Sequence, residues 1–170
     1  SAIDATNHLI KTGCKKIALF SSIDNLSVGK LRAKGFYQAI EAKGLKADEN
    51  LIVLAETADD FDAKVAGFFD KNKVDAVFAL DEHASVTAMK LGIKKGLKIP
   101  EGRSVIGFAD GVWSRRLTPS LSTVSQHGPE IGEVATKMLI EKLESKEEIY
   151  NHKTTIVKTE LRQRESTKKI

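Results

Sequence analysis

The sequence of 170 residues predicts a doubly wound α/β fold, a parallel sheet sandwiched between helices in three layers, and two observations carry that reading. The first is a strand–helix–strand unit. Val74, Ala76, Val77, Phe78, Ala79 and Leu80 form an apolar run of strand length, a helical pattern follows, and a second apolar run spans residues 104–108. A crossover of this length pairs its strands in parallel with a right-handed connection. The second is that helical and strand patterns alternate along most of the chain, with no internal repeat and no low-complexity linker. In such sheets, ligands gather beyond the carboxyl ends of the strands. Here those ends include Leu80-Asp81-Glu82 and Ala109-Asp110-Gly111.

Taken in order, residues 4–11 carry Ala5, His8, Leu9 and Ile10 on a short helix ended by Thr12-Gly13, and residues 16–20 form the first strand. Residues 28–43 place Leu31, Phe36, Ala39 and Ile40 at helical spacing, with Gly44 as terminator. The second strand covers 51–54. A helix over 61–71 then carries Val65, Phe68 and Phe69, with Asp59 and Asp62 in a weak capping arrangement. After the third strand, over 74–80, Asp81 is placed to cap a helix over 82–94, whose far end is loaded with Lys90, Lys94 and Lys95 before Gly96.

Beyond Asp110 the rhythm changes. Trp113, Arg115 and Arg116 sit in a loop before Thr118-Pro119, and residues 121–125 form a brief strand. Pro129 suits the first turn of a helix reaching Leu143, with Ile131, Val134, Ala135, Met138 and Leu139 along it. Residues 154–161 alternate as a last strand, and residues 162–170 form a charged tail expected to fray.

A hydrophobic content of 41% suffices for one core. The net charge of +4 comes from lysines spread through helices and tail, which read as solvated faces rather than a nucleic-acid patch. No run is long and apolar enough for a membrane span. Cys14 is alone, which excludes an internal disulfide and fits the reducing cytoplasm. Catalytic signatures are missing: there is no G-x-S-x-G, no H-E-x-x-H, no cysteine pair and no phosphate loop. His8, His83, His127 and His152 are scattered. Asp59, Asp60 and Asp62 read as caps in a solvated loop rather than a cation site, so neither metal nor cofactor is expected. A phosphoacceptor domain would need an acidic pair after its first strand, where this chain has Ser21-Ser22.

Three patterns resemble the effector-binding domain of the lactose-repressor/galactose-repressor (LacI/GalR) family of bacterial transcription regulators. They are Ala5-Thr6-Asn7-His8-Leu9-Ile10-Lys11-Thr12-Gly13 leading into Lys16-Ile17-Ala18, then Arg32-Ala33-Lys34-Gly35-Phe36, and then the 74–111 unit continued through Thr118-Pro119-Ser120-Leu121-Ser122-Thr123-Val124-Ser125-Gln126. The ending, Glu160-Leu161-Arg162-Gln163-Arg164-Glu165-Ser166, looks like the family's close.

The resemblance implies a periplasmic-binding-protein-like type I lobe that is part of a longer protein. On that reading residues 1–121 are the C-terminal lobe, 122–150 cross into the N-terminal lobe, and 151–170 return; a helix-turn-helix headpiece that binds DNA would lie outside this chain. The helix beginning near Pro129 would then lack its native sheet and leave apolar surface bare. Arg32 matches the arginine that grips the small-molecule effector, a sugar or related metabolite, and Gln126 matches a polar residue lining the cleft. Phe61 lies near an aromatic that stacks on the effector, with core packing as its other reading. Asp81 touches ligand or caps its helix; Asp110 touches ligand or caps a turn with Gly111. The chain departs from the pattern at Ala109, where many members are acidic, and at Leu80, where many are polar. A homodimer is expected through the helices over 61–71 and 82–94, with Phe61, Val65, Phe68, Phe69 and Thr87 at the interface. The other function considered is a periplasmic-type solute-binding protein of the same fold.

Overall fold

The computed structural model describes residues 1–108, 110–145 and 153–170. Six strands form one sheet in the order β2-β1-β3-β4-β5-β6, with β1 at Ile17–Ser21, β2 at Ile52–Leu54, β3 at Ala76–Ala79, β4 at Ser104–Phe108, β5 at Ser122–Ser125 and β6 at Glu160–Arg162. The first five are parallel and β6 runs antiparallel to β5. Every residue of β1, β3, β4 and β5 is buried, because helices cover both faces.

Side chains of one strand alternate between two cores. Ala18, Phe20, Val77, Ala79 and Val105 face Phe61, Val65, Phe68, Ala84, Ala88 and Met89 from helices α3 (Ala58–Val65), α4 (Phe68–Lys71) and α5 (Glu82–Lys94). Ile17, Leu19, Phe78, Leu80, Ile106 and Phe108 face Ala5, Leu9, Ala33, Phe36 and Ile40 from α1 (Ala2–Lys11) and α2 (Ser27–Ala42). Two close approaches depend on glycine. A Cβ at Gly35 would stand 2.8 Å from the Ala2 Cβ, so Gly35 lets α1 cross α2; one at Gly107 would stand 2.3 Å from Ser85 Oγ, so Gly107 seats α5 on β4.

Four features differ from the sequence expectation. The helix over 61–71 is two helices, because Gly67 takes a left-handed conformation (φ +70°) that ends α3 and starts α4. That break turns Phe68 inward, its ring 4.9 Å from that of Phe20. The loop holding Trp113, Arg115 and Arg116 contains a short helix, α6 (Val112–Arg116). The last strand shrinks to Glu160–Arg162; residues 153–159 pair with no strand among the described residues, and Ile156 is exposed.

The fourth is the tail, which is packed rather than frayed. Val105 N–H donates to the Ser166 carbonyl at 2.7 Å, Ser166 Oγ donates to the Val105 carbonyl at 2.6 Å, and Ser166 and Thr167 are buried. Glu165, Lys168 and Lys169 are exposed, while these two small polar residues fill the gap between the starts of β4 and β5.

Ser122–Ser125, the start of the segment expected to cross into the N-terminal lobe, pairs as β5 with β4, and the chain leaves the sheet after Ser125. There it enters α7 (Gly128–Glu144), none of whose residues is buried; Ile131, Leu139, Ile140 and Leu143 lie exposed. No helix among the described residues is long and apolar enough to cross a membrane.

Candidate functional site

The carboxyl ends of β3, β4 and β5 converge on Arg32. The R-x-x-G-F spacing explains how: Phe36 is buried in the core, Gly35 admits α1, and Arg32, one turn earlier on α2, is carried over the sheet end. Its Nη1 donates to the Leu80 carbonyl at 2.6 Å and its Nη2 to Gln126 Oε1 at 2.8 Å. The guanidinium carbon stands 4.0 Å from the centre of the Phe108 ring, a cation–π stack. Burial lowers the Arg32 pKa, and the Asp81 charge opposes that shift. Among the described ion pairs none involves Arg32, so this half-buried cation has neutral partners and donor capacity left over.

Gln126 separates two open cavities. One, of about 370 Å³, is lined by Val28, Leu31, Arg32, Gly35, Phe108 and Gln126, among others. The other, of about 510 Å³, is bounded by Asp110, Arg115, Ser125, Gln126, His127 and Arg162. Together they give the sheet end apolar walls and a few convergent donors, the composition of a small-molecule surface.

Asp81 is buried and its two oxygens are occupied. Oδ2 accepts from Ser22 N–H at 2.8 Å, while Oδ1 accepts from Ser22 Oγ at 2.9 Å and from Ala84 N–H at 2.8 Å. It therefore caps α5 and ties the ends of β1 and β3 together, as the capping reading of the sequence has it.

Asp110 accepts from Arg164 Nη2 at 2.5 Å, Thr123 Oγ1 at 3.0 Å and Ser114 Oγ at 3.1 Å on one oxygen, and from Arg162 Nη1 on the other. Its side chain is only 6% exposed. Burial pushes the carboxyl pKa up, but the hydrogen bonds from Arg164, Thr123 and Ser114 outweigh it and hold the pKa at about 2. Its bonds go to Ser114 in α6 and across to β5 and the tail rather than to a local turn with Gly111. Ala109, where the family resemblance leads one to expect an acidic residue, lies outside the described residues, as do His152 and the expected boundary at residue 150.

Phe61 is fully buried, its ring 5.6 Å from Phe20 and 5.8 Å from His83, both edge-on. The structure thus places Phe61 under α3 in the core and apart from Arg32, Asp110 and Gln126. The residues expected at a dimer interface divide likewise. Phe61, Val65 and Phe68 turn inward onto the sheet and are consumed by the core, because α3 and α4 have little other apolar surface to bury. Phe69 is half-buried beneath the Arg103 guanidinium at 4.0 Å, and Thr87 is half-buried on α5. No group of three or more metal-ligating side chains occurs among the described residues.

The sequence reading missed Ser22, Ser114, Thr123, Arg162 and Arg164. A faint signal existed for the two arginines, since positions i and i+2 of a strand face the same side and such a pair seeks one anion.

With this geometry in view, comparison with known proteins decides the lineage. Residues 6–167 match the periplasmic binding protein-like domain. The chain belongs to that family, in its LacI/GalR branch. The LacI/GalR relatives include the HTH-type transcriptional regulator DegA of Bacillus subtilis, 32% identical over 130 residues, 76% of this chain and 39% of that protein. The ribose operon repressor of Halalkalibacterium halodurans is 31% identical over 168 residues, 96% of this chain and 49% of that protein. Among solved structures, the transcriptional regulator CelR–cellobiose complex superposes with a TM-score of 0.82 at 27% identity, covering 97% of this chain and 50% of that one. The chain therefore spans half or less of the length of these relatives.

Proposed function

We propose that this chain is the effector-sensing part of a bacterial transcription regulator. A small molecule, sugar or related metabolite, binds where β3, β4 and β5 end, between this lobe and a second one. By favouring one lobe orientation it biases DNA binding by a helix-turn-helix segment. The observation that carries this reading is Arg32: a half-buried cation clamped by Leu80, Phe108 and Gln126, with no carboxylate paired to it among the described residues, at the end of the sheet where such folds bind ligands. A guanidinium so held offers a rigid donor fork suited to vicinal hydroxyls or a carboxylate. The relatives named above are regulators, one solved with cellobiose, which supports a transcriptional role over a transport one.

On this reading the lobe comprises residues 1–125 and 160–170, whereas α7 packs against the second lobe, which accounts for its bare apolar stripe. The regulator works without catalysis, in the cytoplasm where its operator is, and as a homodimer using the outer faces of α3 and α5, Thr87 among them. The test is to screen the full-length regulator against sugars, nucleobases and organic acids by thermal shift, then measure operator binding with and without each stabilising compound. A stabilising ligand that changes operator affinity supports the proposal; ligands that stabilise but leave operator affinity untouched refute it.

A further inference from the structure

We infer that Asp110 is a positioning residue: its carboxylate pins together the two strands through which the chain leaves and re-enters the sheet, and so holds Gln126 against Arg32. The strands concerned are short. β5 has four residues and β6 three, a ladder too brief to be held by its own backbone hydrogen bonds. α7, which follows β5, has no buried residue and lends no anchorage to this sheet.

Asp110 supplies what the ladder lacks. Thr123 of β5 and Arg162 of β6 stand directly opposite each other, and Asp110 bonds both side chains of that pair. Arg164 extends the stitch: besides Asp110, its Nη1 donates to the Leu121 carbonyl at 2.7 Å and to Thr123 Oγ1 at 2.9 Å, and its backbone N–H donates to Ser122 Oγ at 2.8 Å. Ser114 Oγ brings α6 into the same cluster. Three of the four donors converge on Oδ1 and Arg162 holds Oδ2, so the carboxylate is engaged by both strands and by the tail at once. Gln126 follows β5 immediately, three residues from Thr123, so the position of its side chain depends on where β5 is held.

The site to which Asp110 is linked rests on the effector reading above, but its test requires neither effector nor DNA. Hydrogen exchange followed by mass spectrometry on this chain compares the native protein with Asp110→Asn, which keeps the shape and removes the charge. Amides of residues 121–126 and 160–166 should exchange at least about tenfold faster, while those of 17–21 and 76–80 keep their native rates. In parallel, the Arg32 Nε–H signal in a ¹H–¹⁵N spectrum, assigned by its loss in Arg32→Lys, should shift or broaden in Asp110→Asn. A merely structural contribution would speed all strands alike and leave the Arg32 signal in place.

Uniform acceleration across the sheet, or no change at 121–126, overturns the inference. Should Asp110→Asn fail to fold, Thr123→Val removes a single donor, and the same local acceleration at smaller amplitude is required of it. Failure here leaves the regulator reading standing, since that reading is decided by operator binding.

Discussion

Arg32 and Gln126, 94 positions apart in the chain, meet in a 2.8 Å hydrogen bond over the end of the sheet. The bond makes the residue from α2 and the residue from the crossover parts of one surface. A hydrogen bond to a charged group contributes roughly 1.5–3 kcal/mol, so Arg32→Ala should weaken effector binding by about 10- to 150-fold in the full-length regulator. Calorimetry with a ligand found by the thermal-shift screen measures this. Unchanged affinity would remove Arg32 from the site.

Phe61 tests the other half of the site expectation. Because its ring is sealed between Phe20 and His83, Phe61→Ala should destabilise the lobe by about 3–5 kcal/mol in urea unfolding. A cost under about 1 kcal/mol would mean that the ring is free to leave the core and could serve the cleft.

Gly107 sits where α5 rests on β4, and an added methyl would collide with the Ser85 side chain, whose Oγ is engaged with the Asp81 carbonyl at 2.5 Å. Gly107→Ala should therefore cost about 1–3 kcal/mol through overpacking, read as a lower urea midpoint with an unchanged m value. No loss of stability would show that α5 can lift off the sheet cheaply.

Acid should unpick Asp110 in a defined window. In the unfolded chain its carboxyl titrates near its ordinary value of 3.8, and in the folded chain at about 2. Between those values the unfolded state binds more protons, so stability falls as pH drops. The contribution, about 2 kcal/mol, is full above pH 4 and is lost as the pH approaches 2. Asp110→Asn should flatten this part of the stability-versus-pH curve; an identical slope in wild type and variant would contradict the assignment.

Leu143 is 75% exposed at the end of α7. Leu143→Lys should change the stability of this chain by less than about 0.5 kcal/mol, as for surface positions generally, whereas a leucine in a packed helix would cost several times that. Thermal unfolding of the two proteins decides it.

The strands were the easiest feature to read in the sequence, because a sheet covered on both faces needs uninterrupted apolar runs, and Ala76–Ala79 and Ser104–Phe108 supply them. Arg32 was legible through the local R-x-x-G-F spacing, which one helix turn suffices to explain. The partners of Asp110 were not: Thr123, Arg162 and Arg164 lie 13, 52 and 54 positions away, and no local pattern encodes contacts at such distances. Between those extremes stands the helix over 61–71, where the apolar periodicity of Val65, Phe68 and Phe69 ran smoothly across Gly67 although the backbone did not. The tail misled for a compositional reason. Its charges suggest solvent, but Ser166 supplies backbone and side-chain bonds that a charged residue could not make in that gap.

Because β5 and β6 depart from one edge of the sheet side by side, whatever lies beyond them hangs from two cords about 4.8 Å apart instead of one. Twisting a body on two adjacent cords shears the hydrogen bonds between them, while bending it flexes both cords together. The attachment therefore favours a swing in a single plane, like a shutter on its hinges, over free rotation.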